Sequence, residues 1–191
     1  MTASQQYEAI SASVAHESTF SFGLVTDLHY GMSAYGNRDC PGALARLHAT
    51  LAAFADARIE LVVNLGDAID DAPSVAAELA LCAEVRKAFD AFPGEVLHVI
   101  GNHDVAMLSK TEFLAAMGSR YPAYYSLDVF GVHFVLLDGN CREDGTDFDR
   151  GNFSWDNAWV SPAQMEWLAD DLAAVNRPTL LFCHECLDET A

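Results

Sequence analysis

The chain has 191 residues, of which 51% are hydrophobic and 20% are charged, and its 28 Asp and Glu outweigh 10 Lys and Arg to give a formal net charge of −18. This size and composition are typical of one globular domain with a sizeable core. The negative charge disfavours a nucleic-acid duplex and an anionic membrane as partners, because both are bound through Lys and Arg.

We expect no secretory leader, since residues 1–18 lack a basic stretch followed by an apolar one. No apolar run is long enough to span a bilayer. The five cysteines are scattered along the chain, which is typical of free thiols in a reducing compartment. We therefore expect a cytoplasmic protein.

The first part of the chain alternates between strands and helices. Residues 1–18 are polar and are treated as an N-terminal arm before a domain over residues 19–191. The predicted elements that follow are a strand over 19–29, a helix over 41–57, a strand over 59–67, a helix over 73–92 and a strand over 95–104. This alternation predicts an α/β fold with a parallel sheet.

The alternation of strands and helices ends after residue 104. A short helix is predicted over 110–118, and residues 123–140 are typical of two antiparallel strands around a tight turn at Phe130-Gly131. After a polar loop, Ser161 and Pro162 predict a helix start, because serine caps helices and proline suits the first turn. A last strand is predicted over 179–185.

Polar side chains stand at the ends of four predicted strands. They are Asp27 and His29; Asp67 and Asp70; Asn102, His103 and Asp104; and His184. Each alone has an ordinary explanation as a turn residue, a helix cap or a hydrogen-bonded histidine. Ligands of open α/β sheets bind beyond the carboxyl ends of the strands, however, so four such endings predict one cluster.

The residue types indicate a metal site. Asp27 and His29 are separated by one residue, so on an extended segment they would point to the same side and could chelate one cation. Carboxylate, amide and imidazole ligands together suit Mn, Fe or Zn better than a thiolate site would.

In order and strand context, four stretches resemble the D-x-H, G-D-x-x-D, G-N-H-[DE] and H motifs of the calcineurin-like metallophosphoesterases. These are Asp27-Leu28-His29, Gly66-Asp67-Ala68-Ile69-Asp70, Gly101-Asn102-His103-Asp104 and His184. The resemblance implies two stacked β-sheets flanked by helices, and a site for two divalent metal ions, with Mn preferred to Fe or Zn.

The resemblance also implies a role for each residue. Asp27 and His29 would bind the first metal, Asp67 would bridge both metals, and Asn102 and His184 would bind the second. A metal-bound hydroxide would attack the phosphorus atom.

Two further roles follow from the same resemblance. His103 would protonate the leaving oxygen, and Asp104 would orient the His103 imidazole. Asp70 would hold the loop rather than bind metal.

The family's further G-H-x-H motif is absent, since the chain stops at Ala191, soon after His184. Either the chain is a fragment of a longer protein, so that its domain over 19–191 is partial, or the metal site is incomplete. The position of the end favours the fragment.

We expect hydrolysis of a phosphomonoester, phosphodiester or pyrophosphate bond of a small molecule. The alternative is a non-catalytic or vestigial metal-binding module of the same fold. A third interpretation, a redox or structural zinc site at Cys183 and Cys186, lacks the second cysteine pair that such a zinc site needs.

The polar loop over residues 139–160 carries cations in an acidic protein. Arg142 and Arg150 could hold a phosphate, and Trp155 could stack on a base, which makes these three candidate substrate-binding residues. The competing interpretation is a surface loop anchored by its aromatic residues.

Overall fold

The computed structural model describes residues 20–34, 36–152 and 157–187, so the expected arm over 1–18 and Trp155 lie outside the described residues. The strands are β1 (Gly23–Val25), β2 (Leu61–Asn64), β3 (Glu95–His98), β4 (Tyr125–Val129), β5 (Val132–Leu136) and β6 (Thr179–Phe182). The helices are α1 (Ala43–Asp56), α2 (Val75–Asp90), α3 (Lys110–Met117) and α4 (Pro162–Ala173), with a 3-10 turn over His103–Val105.

The first sheet is parallel, with the strand order β1-β2-β3. Val63 in the central strand pairs with Leu24 on one side and Leu97 on the other. All four residues of β2 are buried, as expected for a short apolar strand whose two faces are both covered. The prediction of neighbouring strands with parallel carboxyl ends is confirmed.

The second sheet has the order β4-β5-β6, with β4 and β5 antiparallel and β5 and β6 parallel. The hairpin between β4 and β5 turns at Phe130 and Gly131, whose φ angles are 53° and 80°. Positive φ at both central residues is the geometry that matches the twist of a hairpin, so the predicted tight turn is confirmed.

The two sheets pack face to face. Val63 and Leu97 of the first sheet share one core with Phe134, Leu136 and Phe182 of the second. Leu47, Leu81 and Phe113 of helices α1, α2 and α3 belong to the core on the outer face of the first sheet. Leu168 of α4 packs against Val135 and Leu137 of the second sheet. The predicted sandwich of two sheets flanked by helices is therefore confirmed.

Some element boundaries differ from those predicted. β1 ends at Val25, because the backbone turns into the left-handed region at Asp27. Helix α1 begins at Ala43 rather than at Pro41, because Cys40–Gly42 forms a turn. The predicted start of α4 is correct, and the Ser161 side chain accepts the N–H of Gln164 at 3.3 Å. None of the helices in the described ranges is both long enough and apolar enough to cross a membrane.

Candidate metal centre

The loops that follow β1 and β2 run side by side at the carboxyl edge of the first sheet. The N–H of Asp27 donates to Gly66 O at 3.1 Å, and the N–H of His29 donates to Asp67 O at 2.9 Å. Asp27, His29 and Asp67 have φ angles of 52°, 43° and 53°, a left-handed conformation that costs free energy for residues other than glycine. Three polar residues that lie close together in space and share this strained conformation are typical of a functional site.

Asp27 and His29 do meet, but not for the predicted reason. The segment is not extended at these residues, and the left-handed turns bring Asp27 Oδ1 to 3.7 Å from His29 Nε2. His29 is 7% exposed, whereas the Asp27 side chain is 56% exposed. The pair therefore presents a buried imidazole beside a carboxylate that solvent and ligands can reach.

Asp67 lies between two histidines. Its Oδ2 is 3.3 Å from His29 Nε2, and its Oδ1 is 3.4 Å from His184 Nε2. The carboxylate is almost completely buried. His184 follows β6 of the second sheet, so the Asp67 carboxylate connects the carboxyl edges of the two sheets. Its two oxygens face two different imidazole nitrogens.

The tautomer of His184 is set by the backbone. Its Nδ1–H donates to Leu65 O at 2.8 Å, so Nε2 is the nitrogen that faces Asp67 and that would be left unprotonated to bind a metal. Histidines that bind metals typically have such a hydrogen bond on the other ring nitrogen. His184 is therefore arranged as a metal ligand is expected to be.

Asp67 and His184 also shift each other's pKa. Burial favours the neutral form of Asp67, but the hydrogen bond and charge of His184 outweigh it and lower the pKa of Asp67. Burial likewise favours neutral His184, but Asp67 outweighs it and raises the pKa of His184 to about 9. Burial lowers the pKa of His29, which favours the neutral imidazole that metals require.

Two glycines allow the loops to approach. A Cβ on Gly101 would lie 2.2 Å from Asp67 Oδ1 and 2.3 Å from Asp67 N. A Cβ on Gly66 would lie 2.7 Å from Gly101 N and 2.8 Å from His184 Nδ1. The glycines of the G-D and G-N-H motifs are therefore required by close packing around the bridging carboxylate.

Asn102 and His103 are placed beside Asp67 by the loop after β3. The backbone N–H of His103 donates to Asp67 Oδ1 at 3.0 Å, and Asn102 is buried at the start of the 3-10 turn. The His103 and His29 rings lie 4.7 Å apart between centroids. His103 Nδ1 is 2.7 Å from Asp71 Oδ1 and 3.5 Å from Asp70 Oδ1.

The described contacts of Asp104 differ from those expected. Its fully buried carboxylate accepts backbone N–H groups, and the His103 imidazole contacts Asp71. The donors, at 2.9–3.3 Å, are the N–H groups of Asp67, Ala68, Ile69 and Gly101. Burial raises the pKa of Asp104 to about 8, and the hydrogen bonds act in the opposite sense. Asp104 therefore holds the loops after β2 and β3 together.

Sequence reasoning missed Arg38 and Asp71, which contact two of the site's imidazoles. Arg38 Nη1 lies 3.0 Å from His29 Nδ1 and 3.6 Å from Asp70 Oδ1. Asp70 Oδ1 thus lies beside both Arg38 and His29, at 3.5 Å from His29 Nδ1. Arg38 belongs to no recognised motif, and Asp71 directly follows one, so only the expected convergence of the loops could have indicated them.

The candidate substrate-binding arginines hold their own loop. Arg142 donates to Asn152 O, and Arg150 contacts Glu112 Oε2 at 2.7 Å and Met107 O at 3.1 Å. The Arg150 contacts attach the loop to the segment that follows His103. A substrate-binding role for Arg142 and Arg150 stays a prediction.

All five cysteines are free. Burial raises the pKa of Cys183 to about 12, so this thiol stays protonated and unreactive at neutral pH. This favours the packing interpretation of Cys183 over a redox role.

Two overlapping groups of side chains could each hold a divalent metal ion. Ligand atoms of Asp27, Asp67 and His184 lie within 4.8 Å of one another, and those of His29, Asp67 and His103 do the same. Asp67 belongs to both groups. Mixed imidazole and carboxylate donors suit Mn, Fe and Zn, so the residues present match the metals expected from the sequence.

Comparisons with known proteins agree with this arrangement. A family model described as calcineurin-like phosphoesterase matches residues 20–189. A manganese-dependent ADP-ribose/CDP-alcohol diphosphatase of Arabidopsis thaliana is 28% identical over an alignment of 138 residues that covers 66% of this chain. The match spans only 44% of that relative's length.

A solved structure supports the fold. The crystal structure of a dimetal phosphatase from Danio rerio superposes with a TM-score of 0.69 at 21% identity, covering 86% of this chain and 69% of the other. The likeness shows that the two proteins share the arrangement of sheets and helices.

Proposed function

Because this chain belongs to the calcineurin-like phosphoesterase family, we propose that it is a metal-dependent phosphoesterase acting on a small-molecule phosphate compound. One observation carries the proposal. The two oxygens of Asp67 face His29 Nε2 at 3.3 Å and His184 Nε2 at 3.4 Å. A buried carboxylate between two imidazoles has the geometry that a bridging ligand of two metals requires.

The proposed ligands divide between the two metals. Asp27 and His29 would hold the first metal, Asn102 and His184 would hold the second, and Asp67 would bridge both. Bound divalent ions in such a pair lower the pKa of a water molecule and stabilise the attacking and leaving oxygens of an in-line displacement. The manganese dependence in the name of the Arabidopsis thaliana relative supports Mn as the preferred metal.

His103 is the proposed acid. Its imidazole lies beside His29 and is held by Asp71, while its backbone N–H binds Asp67. A positioned imidazole can donate a proton to a leaving oxygen. Asp104 supports His103 indirectly, because its carboxylate fixes the backbone of the loop after β2 and of Gly101 in the loop after β3.

The proposed substrate is a diphosphate compound such as ADP-ribose, of which one phosphate anhydride bond is hydrolysed. The Arabidopsis thaliana relative supports this choice through its named activity. Phosphomonoesters and phosphodiesters remain in the proposed range, since the same metal pair and acid can serve each of them.

The test uses the full-length protein, with any segment that follows residue 191 in its gene. Mn²⁺ should activate hydrolysis of ADP-ribose or of bis-p-nitrophenyl phosphate, and Asp67→Asn should abolish it by removing the bridge. His103→Ala should slow turnover by about 10²- to 10⁴-fold, the range for an acid catalyst, while the bound Mn²⁺ is retained.

The control is Asp170→Asn, which makes the same change at an exposed carboxylate on α4. It should leave turnover unchanged. Mn²⁺ binding without turnover of any of these substrates would support the alternative, a non-catalytic metal-binding module. Equal turnover by Asp67→Asn and the unchanged protein would contradict the proposed site.

A further inference from the structure

We infer that Arg38 binds the phosphate group of the substrate and positions it at the metal centre. The inference rests on the proposed function, because it needs an anionic substrate at this site. Positive charge is scarce in this protein. The protein has a formal net charge of −18 and only 10 Lys and Arg, so an anion that approaches Asp27 and Asp67 needs a local cation.

Arg38 is the cation that the fold provides there. Within residues 20–34, 36–152 and 157–187, no other Lys or Arg side chain has a contact with an expected metal ligand. Lys110, for example, is paired with Asp138 and Asp147, and Arg150 is paired with Glu112. The described contacts of the loop arginines Arg142 and Arg150 likewise lie away from these ligands.

The guanidinium of Arg38 can reach both the site and the solvent. Nη1 is 3.0 Å from His29 Nδ1, yet 42% of the side chain is exposed. Asp70 Oδ1, at 3.6 Å, keeps the group beside the site. Arginine presents its donors in a planar fork that matches two oxygens of one phosphate, so such a position suits phosphate recognition.

The contact with His29 belongs to one tautomer only. Because arginine can only donate, Nδ1 of His29 is the acceptor and Nε2 carries the proton. When Nε2 serves as a metal ligand, the proton lies on Nδ1, and Nδ1 can donate to Asp70 Oδ1 at 3.5 Å. The guanidinium then loses its acceptor on His29, and the phosphate oxygens replace it.

The experiment compares Arg38→Gln with Arg86→Gln in the Mn²⁺-loaded full-length protein. Both changes remove one positive charge, and the two side chains are similarly exposed, at 42% and 45%, beside one aspartate each. Arg86 lies on α2 and pairs with Asp90. The probe is inorganic phosphate, whose Kd is measured by calorimetry together with the Mn²⁺ content and, where turnover exists, KM and kcat.

Arg38→Gln should weaken phosphate binding and raise KM by about 10- to 100-fold, the loss expected for a hydrogen bond to a charged group. The bound Mn²⁺ should be unchanged, and Arg86→Gln should match the unaltered protein. Arg38→Lys keeps the positive charge but lacks the planar fork, so its Kd and KM should lie between those of Arg38→Gln and the unaltered protein. If Arg38→Gln does not fold, Arg38→Lys still tests the inference.

Three outcomes would overturn the inference: an unchanged Kd for phosphate, an equal loss in Arg86→Gln, or loss of Mn²⁺ from Arg38→Lys. The last would show that Arg38 maintains His29 rather than binds substrate. Failure of the proposed function gives a different result. In that case no substrate is hydrolysed, but phosphate binding that depends on Arg38 still supports the inference.

Discussion

At the scale of single residues, the site depends on glycines, which have no side chain, as much as on its polar side chains. Gly66 and Gly101 allow the loops after β2 and β3 to touch at Asp67. Asp104 then holds these loops through backbone N–H groups. The motif glycines and the motif aspartate therefore act together to fix the carboxylate that we propose as the bridge.

Gly101→Ala tests the role of this close approach. The added Cβ would lie 2.2 Å from Asp67 Oδ1, so the two loops must separate. We expect the free energy of unfolding to fall by about 2–3 kcal/mol, within the range for strained overpacking. The protein should also lose its bound Mn²⁺, measured by elemental analysis after dialysis.

The control is Gly145→Ala, where a Cβ meets no atom within 4 Å but φ is 84°. Backbone strain alone should cost about 1–2 kcal/mol there and leave the Mn²⁺ content unchanged. Retention of Mn²⁺ by Gly101→Ala would show that the spacing of the loops does not control metal binding.

At the scale of elements, the strand ends were predictable and the exact backbone after them was not. Short apolar strands before polar motifs indicated the parallel sheet and the meeting of Asp67 with His184. The left-handed turns at Asp27 and His29 follow from tertiary hydrogen bonds to the neighbouring loop, which no local pattern encodes. The same holds for Asp71, whose contact with His103 spans 32 residues.

Helix α4 is joined to the second sheet by a buried histidine. His133 Nδ1 lies 2.8 Å from Asp128 Oδ1, and Nε2 lies 2.7 Å from Asp171 Oδ2. Arg177 also contacts Asp128, at 2.8 Å. Burial disfavours the charged imidazole, but the hydrogen bonds and charges of Asp171 and Asp128 outweigh burial and raise the pKa of His133.

The raised pKa predicts a pH dependence of stability. Folding favours the protonated His133, so its stabilising contribution is complete below the unfolded pKa of about 6.5. The contribution is lost as the pH rises through the higher pKa of the folded state. The difference in unfolding free energy between the unaltered protein and His133→Gln should therefore be largest at pH 6 and shrink at higher pH.

Urea unfolding at a series of pH values measures this difference. His48→Gln is a suitable control, since His48 is exposed on α1, and its effect should be small at every pH. A difference for His133→Gln that grew with pH would show that folding favours the neutral imidazole.

At the scale of the whole molecule, the proposed metal site lies where the two sheets meet. Three loops come from the first sheet and His184 comes from the second, while Phe134, Phe182 and Val63 share the core between them. The sequence predicted this plan because the ordered motifs resemble a known family. It could not predict Arg38, because an arginine in a polar loop has no local signature that separates substrate binding from a surface position.

Electron paramagnetic resonance of the Mn²⁺-loaded full-length protein, with the bound metal counted in the same sample, tests the proposed metal centre most directly. We expect two Mn²⁺ per chain with a spin-coupled signal, because Asp67 would bridge them. Asp67→Asn should lose the coupling, and Asp170→Asn should keep it. A single bound Mn²⁺, or two without coupling in the unaltered protein, would contradict the bridged metal centre.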